Sequence, residues 1–126
     1  MTSQVLVVED TPANMKLVTM LLRQAGHQVL QASNAEEAIE MTRAHRPGLV
    51  LMDIQLPGMD GLAAIRILKE DASTRGIPVL ALTALAMRGD GQRMIAAGCD
   101  GYITKPIQYR SFLDEVDRLL REGAAP

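Results

Sequence analysis

Two short apolar runs constrain this chain more than any other feature. Val5-Leu6-Val7-Val8 and Leu49-Val50-Leu51-Met52 carry no polar alternation, and each stops at acid: Glu9-Asp10 after the first, Asp53 after the second. A short unbroken run of this kind reads as a strand covered on both faces, as in a parallel sheet. Open sheets of that class bind ligands at the carboxyl ends of their strands. The acids therefore belong to the functional edge of the domain. Leu56-Pro57-Gly58 marks a turn just beyond Asp53, and Asp60 is a candidate N-cap for the helix that follows.

Strand and helix signals alternate along the whole chain. Gln4 to Val8 is the first strand. Thr11-Pro12 then offers an N-cap with proline at the first helical position. Leu17, Val18, Leu21 and Leu22 share one face of that helix, and Gly26 stops it. Gln28 to Ala32 is a second strand, less apolar than the rest and so placed near an edge. Ser33-Asn34-Ala35-Glu36 has capping-box spacing and opens a helix through Ala38, Ile39 and Met41, with Pro47-Gly48 closing the connection. The third strand leads to Asp53, and a helix from about Asp60 to Glu70 is followed by a polar loop over 71–76.

Pro78 to Leu82 reads as the fourth strand, ending at Thr83. A fourth helix from about Met87 to Ala97 carries Gly89 and Gly91 in its first turns, each costing up to ~1 kcal/mol against alanine. Gly101 to Thr104 is a short fifth strand, ending at Lys105-Pro106. Phe112, Leu113, Val116, Leu119 and Leu120 form one stripe of a last helix. Five strand–helix alternations imply an α/β fold with a parallel sheet, helices on both faces and right-handed crossovers.

Composition narrows the function. The chain has 126 residues, is 48% hydrophobic and 22% charged, and carries a net charge of −2. That suits one folded domain with a real core. No basic run is present, and two tyrosines and one phenylalanine are too few for a base-stacking platform, which argues against direct binding of nucleic acid. No apolar run approaches the ~20 residues of a membrane span. The single cysteine, Cys99, has no partner for an internal disulfide and reads as a small buried side chain. With no signal-peptide pattern at the N-terminus, a cytoplasmic protein is the expectation. His27 and His45 lie by turns with no partnered acid or cysteine motif, so neither reads as a metal ligand or a phosphorelay histidine.

Strand order decides which strand ends meet. In the flavodoxin-like order 2-1-3-4-5, strands one and three are neighbours at the switch point. Their ends then lie ~4.8 Å apart, and Glu9, Asp10 and Asp53 cluster. In a Rossmann-type order Asp53 would lie further off. The acid cluster makes chemical sense only in the first order, so a doubly wound (βα)5 fold of that order is expected. Three such carboxylates repel one another, and a hard divalent cation relieves the repulsion. Magnesium suits a site of few carboxylates plus water. Thr83 adds a hydroxyl from the next strand, and Lys105 a long cationic side chain from the strand beyond. Together these groups can stabilise a phosphoryl group moving in line onto Asp53.

These residues resemble the receiver domain of two-component response regulators. The likeness rests on Val7-Val8-Glu9-Asp10, Leu51-Met52-Asp53, Leu56-Pro57-Gly58-Met59-Asp60-Gly61, Leu82-Thr83-Ala84 and Thr104-Lys105-Pro106, in the family's order and spacing. It is nearest the stand-alone receivers of the DivK type, through Asn14-Met15-Lys16-Leu17, Ile54-Gln55-Leu56-Pro57 and Ala86-Met87-Arg88-Gly89-Asp90. Receivers attached to hybrid histidine kinases, or cut from larger regulators, look similar. Jointly the motifs are specific, although each alone is weak.

The resemblance implies a single receiver domain over residues 1–126. Asp53 would be the phosphoacceptor, and Glu9, Asp10, Asp53 and the backbone carbonyl of Gln55 would hold Mg2+. Lys105 would pair with the phosphoryl oxygens, and the Lys105-Pro106 peptide would be cis. Thr83 would bond to the phosphoryl group and move on activation, with Tyr102 as the aromatic switch; a tyrosine on a short strand also fits ordinary packing. The donor would be a histidine kinase or histidine phosphotransfer protein. Output would pass to a downstream protein through the face of the fourth helix, fifth strand and fifth helix, from a monomer or weak dimer. The chain would catalyse only its own phosphorylation and a slow loss of the group. Gln55 and Leu85 line the approach to that group in the family, and apolar Leu85 cannot orient an attacking water. One departure is Thr11, where many members carry Asn or Asp.

Other functions fit less well. A haloacid-dehalogenase-like phosphatase needs a second Asp two residues after the nucleophile, where Gln55 stands. A flavin carrier of this topology needs a phosphate cradle after strand one, where Glu9-Asp10 would repel the phosphate. A receiver-like adaptor that is never phosphorylated would have no use for the full set of acids, hydroxyl and lysine.

Overall fold

The computed structural model describes residues 4–56, 58–59, 61–83, 95–104 and 107–124. Its centre is a five-stranded parallel sheet in the order β2-β1-β3-β4-β5. The strands are β1 (Gln4–Val8), β2 (Gln28–Ala32), β3 (Leu49–Asp53), β4 (Val79–Thr83) and β5 (Gly101–Thr104). This is the flavodoxin-like order expected from the acid cluster, and β2 is an edge strand as its composition implies.

The unbroken apolar runs have a direct physical reason. Alternate residues of each central strand enter two different cores. Val5, Val7, Leu49, Leu51 and Leu80 pack with Val18, Leu22, Phe112, Val116 and Leu119 on one side. Leu6, Val8, Val50, Met52, Val79 and Ala81 pack with Ala38, Leu62, Ile65 and Leu68 on the other. Every residue of β3 and of β4 is buried. The first core is roofed by α1 (Pro12–Gln24) and the C-terminal helix (Tyr109–Ala124), the second by α2 (Ala35–His45) and α3 (Gly61–Glu70).

Helix details refine the sequence reading at the α1 cap, along the α1 stripe and at the α2 cap. Thr11 is the N-cap of α1, but its side chain makes no capping bond; Pro12 at the helix start removes one donor that would need a partner. The α1 stripe is shifted, with Val18, Leu21 and Leu22 buried and Leu17 40% exposed. Its C-terminus closes as a Schellman motif: Gly26 (φ 93) donates to the Arg23 carbonyl at 3.0 Å and His27 to the Leu22 carbonyl at 3.0 Å. At α2 the cap is Asn34, whose side chain accepts from the Glu37 N–H at 2.8 Å, one residue later than a box built on Ser33 and Glu36. Replacing Asn34 with Ala should therefore lower stability by about 1 kcal/mol. Thermal melts of the two proteins measure this; Ser33→Ala, which removes no capping bond, should cost far less.

A polar cluster ties α3 down at its far end. Lys69 Nζ, at the end of α3, donates to the Ile77 carbonyl at 2.9 Å and to Asp100 Oδ2 at 2.8 Å, and Asp100 Oδ2 also accepts from the Val79 N–H at 2.8 Å. One carboxylate thus links α3, the start of β4 and the entry to β5. The His27 ring is buried, with Nε2 3.8 Å from Asp117 on the C-terminal helix and neither ring nitrogen in a hydrogen bond among the described residues. Cys99 is half-buried, and burial, reinforced by the charge of Asp100, pushes its thiol up to about 11.

Most of the expected fourth helix, including Met87, lies outside the described residues; residues 95–97 are helical. Asp60, Leu85, Lys105 and Pro106 also lie outside them. Among the described residues, no helix is long and apolar enough to cross a membrane.

Candidate functional site

Strand register builds the site. Val8 pairs with Met52 across β1 and β3, so the residues that follow them, Glu9 and Asp53, leave the sheet at the same level. Asp53 pairs with Leu82 across β3 and β4, which brings Thr83 alongside, and Thr83 pairs with Thr104 at the end of β5. Lys105, the next residue, is outside the described set. Glu9, Asp53 and Thr83 are buried, at 2%, 2% and 3% exposure, while Asp10 is exposed. Two buried carboxylates at strand ends, with a third exposed beside them, gather three acids at this edge of the sheet.

One oxygen from each of Glu9, Asp10 and Asp53 lies within 4.8 Å of the others. The sequence-predicted acids are thus brought together. The donor set is all carboxylate oxygen, which suits a hard divalent cation and not a thiolate- or imidazole-seeking metal. Glu9 has a second duty: its Oε1 accepts from the Thr11 N–H at 3.3 Å, holding the chain where β1 turns into α1.

The Asp53 side chain is oriented by its own loop. The Gln55 N–H donates to Asp53 Oδ1 at 2.9 Å, an Asx-type turn that fixes one carboxylate oxygen. The sequence expectations for Gln55 are its backbone carbonyl as a metal ligand and a side chain lining the approach to the phosphoryl group; its N–H contact to Asp53 is not among them, and the turn signal around Pro57-Gly58 is its one local trace. The backbone of the same loop is held on two sides. Ile54 N–H donates to the Leu82 carbonyl at 2.9 Å, and Gly61 N–H donates to the Ile54 carbonyl at 3.1 Å. Tyr102 lies on β5 opposite Ala81, with its side chain 46% exposed on the outer edge of the sheet.

The chain's likenesses agree with this geometry. The response regulator receiver domain model matches residues 5–117. The polar-differentiation response regulator DivK of Brucella anthropi is 43% identical over 123 residues, covering 98% of this chain and 100% of that protein. DivK of Brucella ovis is 42% identical over the same span and coverage. Among solved structures, the signal receiver domain of a signal transduction histidine kinase from Syntrophus aciditrophicus superposes with a TM-score of 0.92 at 34% identity, covering 99% of this chain and 95% of that one. The receiver domain of a sensor histidine kinase from Pseudomonas aeruginosa gives a TM-score of 0.89 at 30% identity, covering 96% and 99%, and holds a magnesium ion in its active-site cleft. Identity is higher to the DivK regulators than to these two kinase-borne receivers, which favours a DivK-like regulator over a receiver of a hybrid kinase. Receiver domains partner with histidine kinases or histidine phosphotransfer proteins. The chain belongs to the response regulator receiver domain family of two-component systems.

Proposed function

We propose that residues 1–126 act as a single receiver, a cytoplasmic switch that accepts a phosphoryl group on Asp53 and signals by protein contact. The observation that carries this reading is the convergence of the Glu9, Asp10 and Asp53 carboxylates within 4.8 Å at neighbouring strand ends. Glu9, Asp10, Asp53 and the Gln55 carbonyl are the groups that would hold Mg2+. The ion, when bound, supplies positive charge that offsets the acids and the incoming phosphoryl oxygens.

The donor is a phosphohistidine of a histidine kinase or phosphotransfer protein. A carboxylate oxygen of Asp53 attacks phosphorus; the new O–P bond forms as the N–P bond breaks. The imidazole nitrogen leaves with the electron pair and takes a proton from solvent. Gln55 N–H keeps the carboxylate oriented for in-line attack, since it already holds Oδ1. Thr83 and Lys105 are assigned to the phosphoryl oxygens. Thr83 and Tyr102 would then report the added charge to the output face formed by the fourth helix, β5 and the C-terminal helix, where a downstream protein reads it. Apart from its own phosphorylation and slow loss of the group, no reaction is assigned to the chain.

The test is transfer from a radiolabelled histidine phosphotransfer protein. Label should pass to this chain in a magnesium-dependent way, and the phosphorylated form should outlast minutes, because Leu85 gives no polar group to an attacking water. Decay within seconds would contradict the slow-loss part of the reading.

A further inference from the structure

Gly61 is the first residue of α3 and is buried. A Cβ built there would collide with the Asp53 carbonyl oxygen, and would lie 2.7 Å from Ile54 Cα and 3.1 Å from the Asp53 carbonyl carbon. All three obstacles are backbone, so no side-chain rotation relieves them. The Gly61 N–H meanwhile donates to the Ile54 carbonyl at 3.1 Å. The start of α3 is thus pressed directly onto the peptide units that carry the Asp53 side chain and lead to Gln55.

We infer that Gly61 is a positioning residue for the phosphoacceptor: the lack of a side chain lets α3 set where the Asp53–Gln55 backbone stands relative to Glu9 and Asp10. The inference rests on the proposed phosphoacceptor role of Asp53. Its physical basis is the opposed clamp on one short segment. On the sheet side, Ile54 N–H is bonded to Leu82 of β4. On the helix side, Gly61 closes onto the same residue. Gln55, next in line, holds Asp53 Oδ1 through its N–H. A methyl group at position 61 must separate α3 from this segment, and the segment is what carries both the proposed nucleophile and the proposed carbonyl ligand. Among the described residues, the other glycines do not share this relation. A Cβ at Gly48, at the opposite end of the sheet, would meet only the Leu120 side chain at 3.2 Å and the Gln4 carbonyl at 3.5 Å.

The test compares wild type, Gly61→Ala and Gly48→Ala for phosphorylation by acetyl phosphate, with magnesium titrated in each. Folding is followed by circular dichroism. Gly61→Ala should retain the fold, lose roughly tenfold to a hundredfold in phosphorylation rate at saturating magnesium, and need several times more magnesium for half-maximal rate. Gly48→Ala should keep the wild-type values of both. A separate NMR titration follows magnesium through the amide shift of Gln55, with no phosphoryl donor present, and should show the same weakening in Gly61→Ala. A folded Gly61→Ala with wild-type rate and wild-type magnesium dependence would overturn the inference. Should the variant unfold in buffer, the measurements are made in the osmolyte TMAO, which favours the compact state; a chain that stays unfolded even there also overturns it, because the glycine would then serve the fold and not the site. A wild type that takes no phosphoryl group but binds magnesium more tightly than Gly61→Ala would remove the phosphoacceptor reading and leave the positioning of the loop standing.

Discussion

Asp10→Asn is expected to lower the magnesium-dependent phosphorylation rate of Asp53 by about 100-fold or more at millimolar magnesium. Asp10 is the exposed member of the acid cluster, so its removal leaves the buried Glu9 and Asp53 in place. With one of three charges gone, the site should hold a divalent cation far less well. The same substitution should raise the stability of the magnesium-free protein. Like charges within about 5 Å repel by about 1 kcal/mol even where water screens them well, and asparagine removes that repulsion. Opposite changes in activity and in apo stability are the signature of a site built for an ion. A chemical denaturation curve without magnesium, set beside acetyl phosphate kinetics with it, measures both. An unchanged rate would show that Asp10 is only a solvated acid at a strand end.

Phe112→Ala should produce the largest loss of stability of any single truncation on the α1 side of the sheet, about 4 kcal/mol. Phe112 is fully buried and is the largest side chain in the core that joins the C-terminal helix to β1, β3 and β4. The C-terminal helix has Val116 and Leu119 as its only other fully buried residues among those described. A domain of this size has roughly 5–15 kcal/mol in total, so the variant should be marginal at 37 °C. Denaturant unfolding followed by circular dichroism tests this; a cost near 1 kcal/mol would mean that the helix is held elsewhere. Leu113, one residue further on and only partly buried, should cost much less when truncated.

The sheet was legible because its signal is redundant. Four-residue apolar runs bounded by turn signals at β1 and β3 read as strands buried on both faces, and the carboxylates after them point to the functional end. The choice of strand order came from chemistry: it is the order that brings Glu9 and Asp10 to Asp53, and the sheet has it. Single-residue features were less legible. Ser33 and Asn34 are both good caps in adjacent positions, and which one is used depends on where α2 meets β1 and β2, a tertiary matter. Leu17 fits the helical stripe better than Thr19 on apolarity, yet Thr19 is the buried one and accepts from the Gln31 amide at 3.0 Å on β2. The Lys69–Asp100 contact joins residues 31 apart in sequence and leaves no local pattern. Gly61 stood inside a recognised motif, but only the three-dimensional contact with Asp53 and Ile54 says why a side chain is excluded.

The most direct test of the central claim is intact-mass spectrometry after incubation with acetyl phosphate, with and without magnesium, on wild type and Asp53→Asn. The account predicts that wild type gains the mass of one phosphoryl group only when magnesium is present, and that Asp53→Asn gains none. Failure of wild type to gain mass, under conditions that label a control receiver, would contradict it and leave the chain as an adaptor of receiver fold. Gain by Asp53→Asn equal to that of wild type would place the acceptor elsewhere.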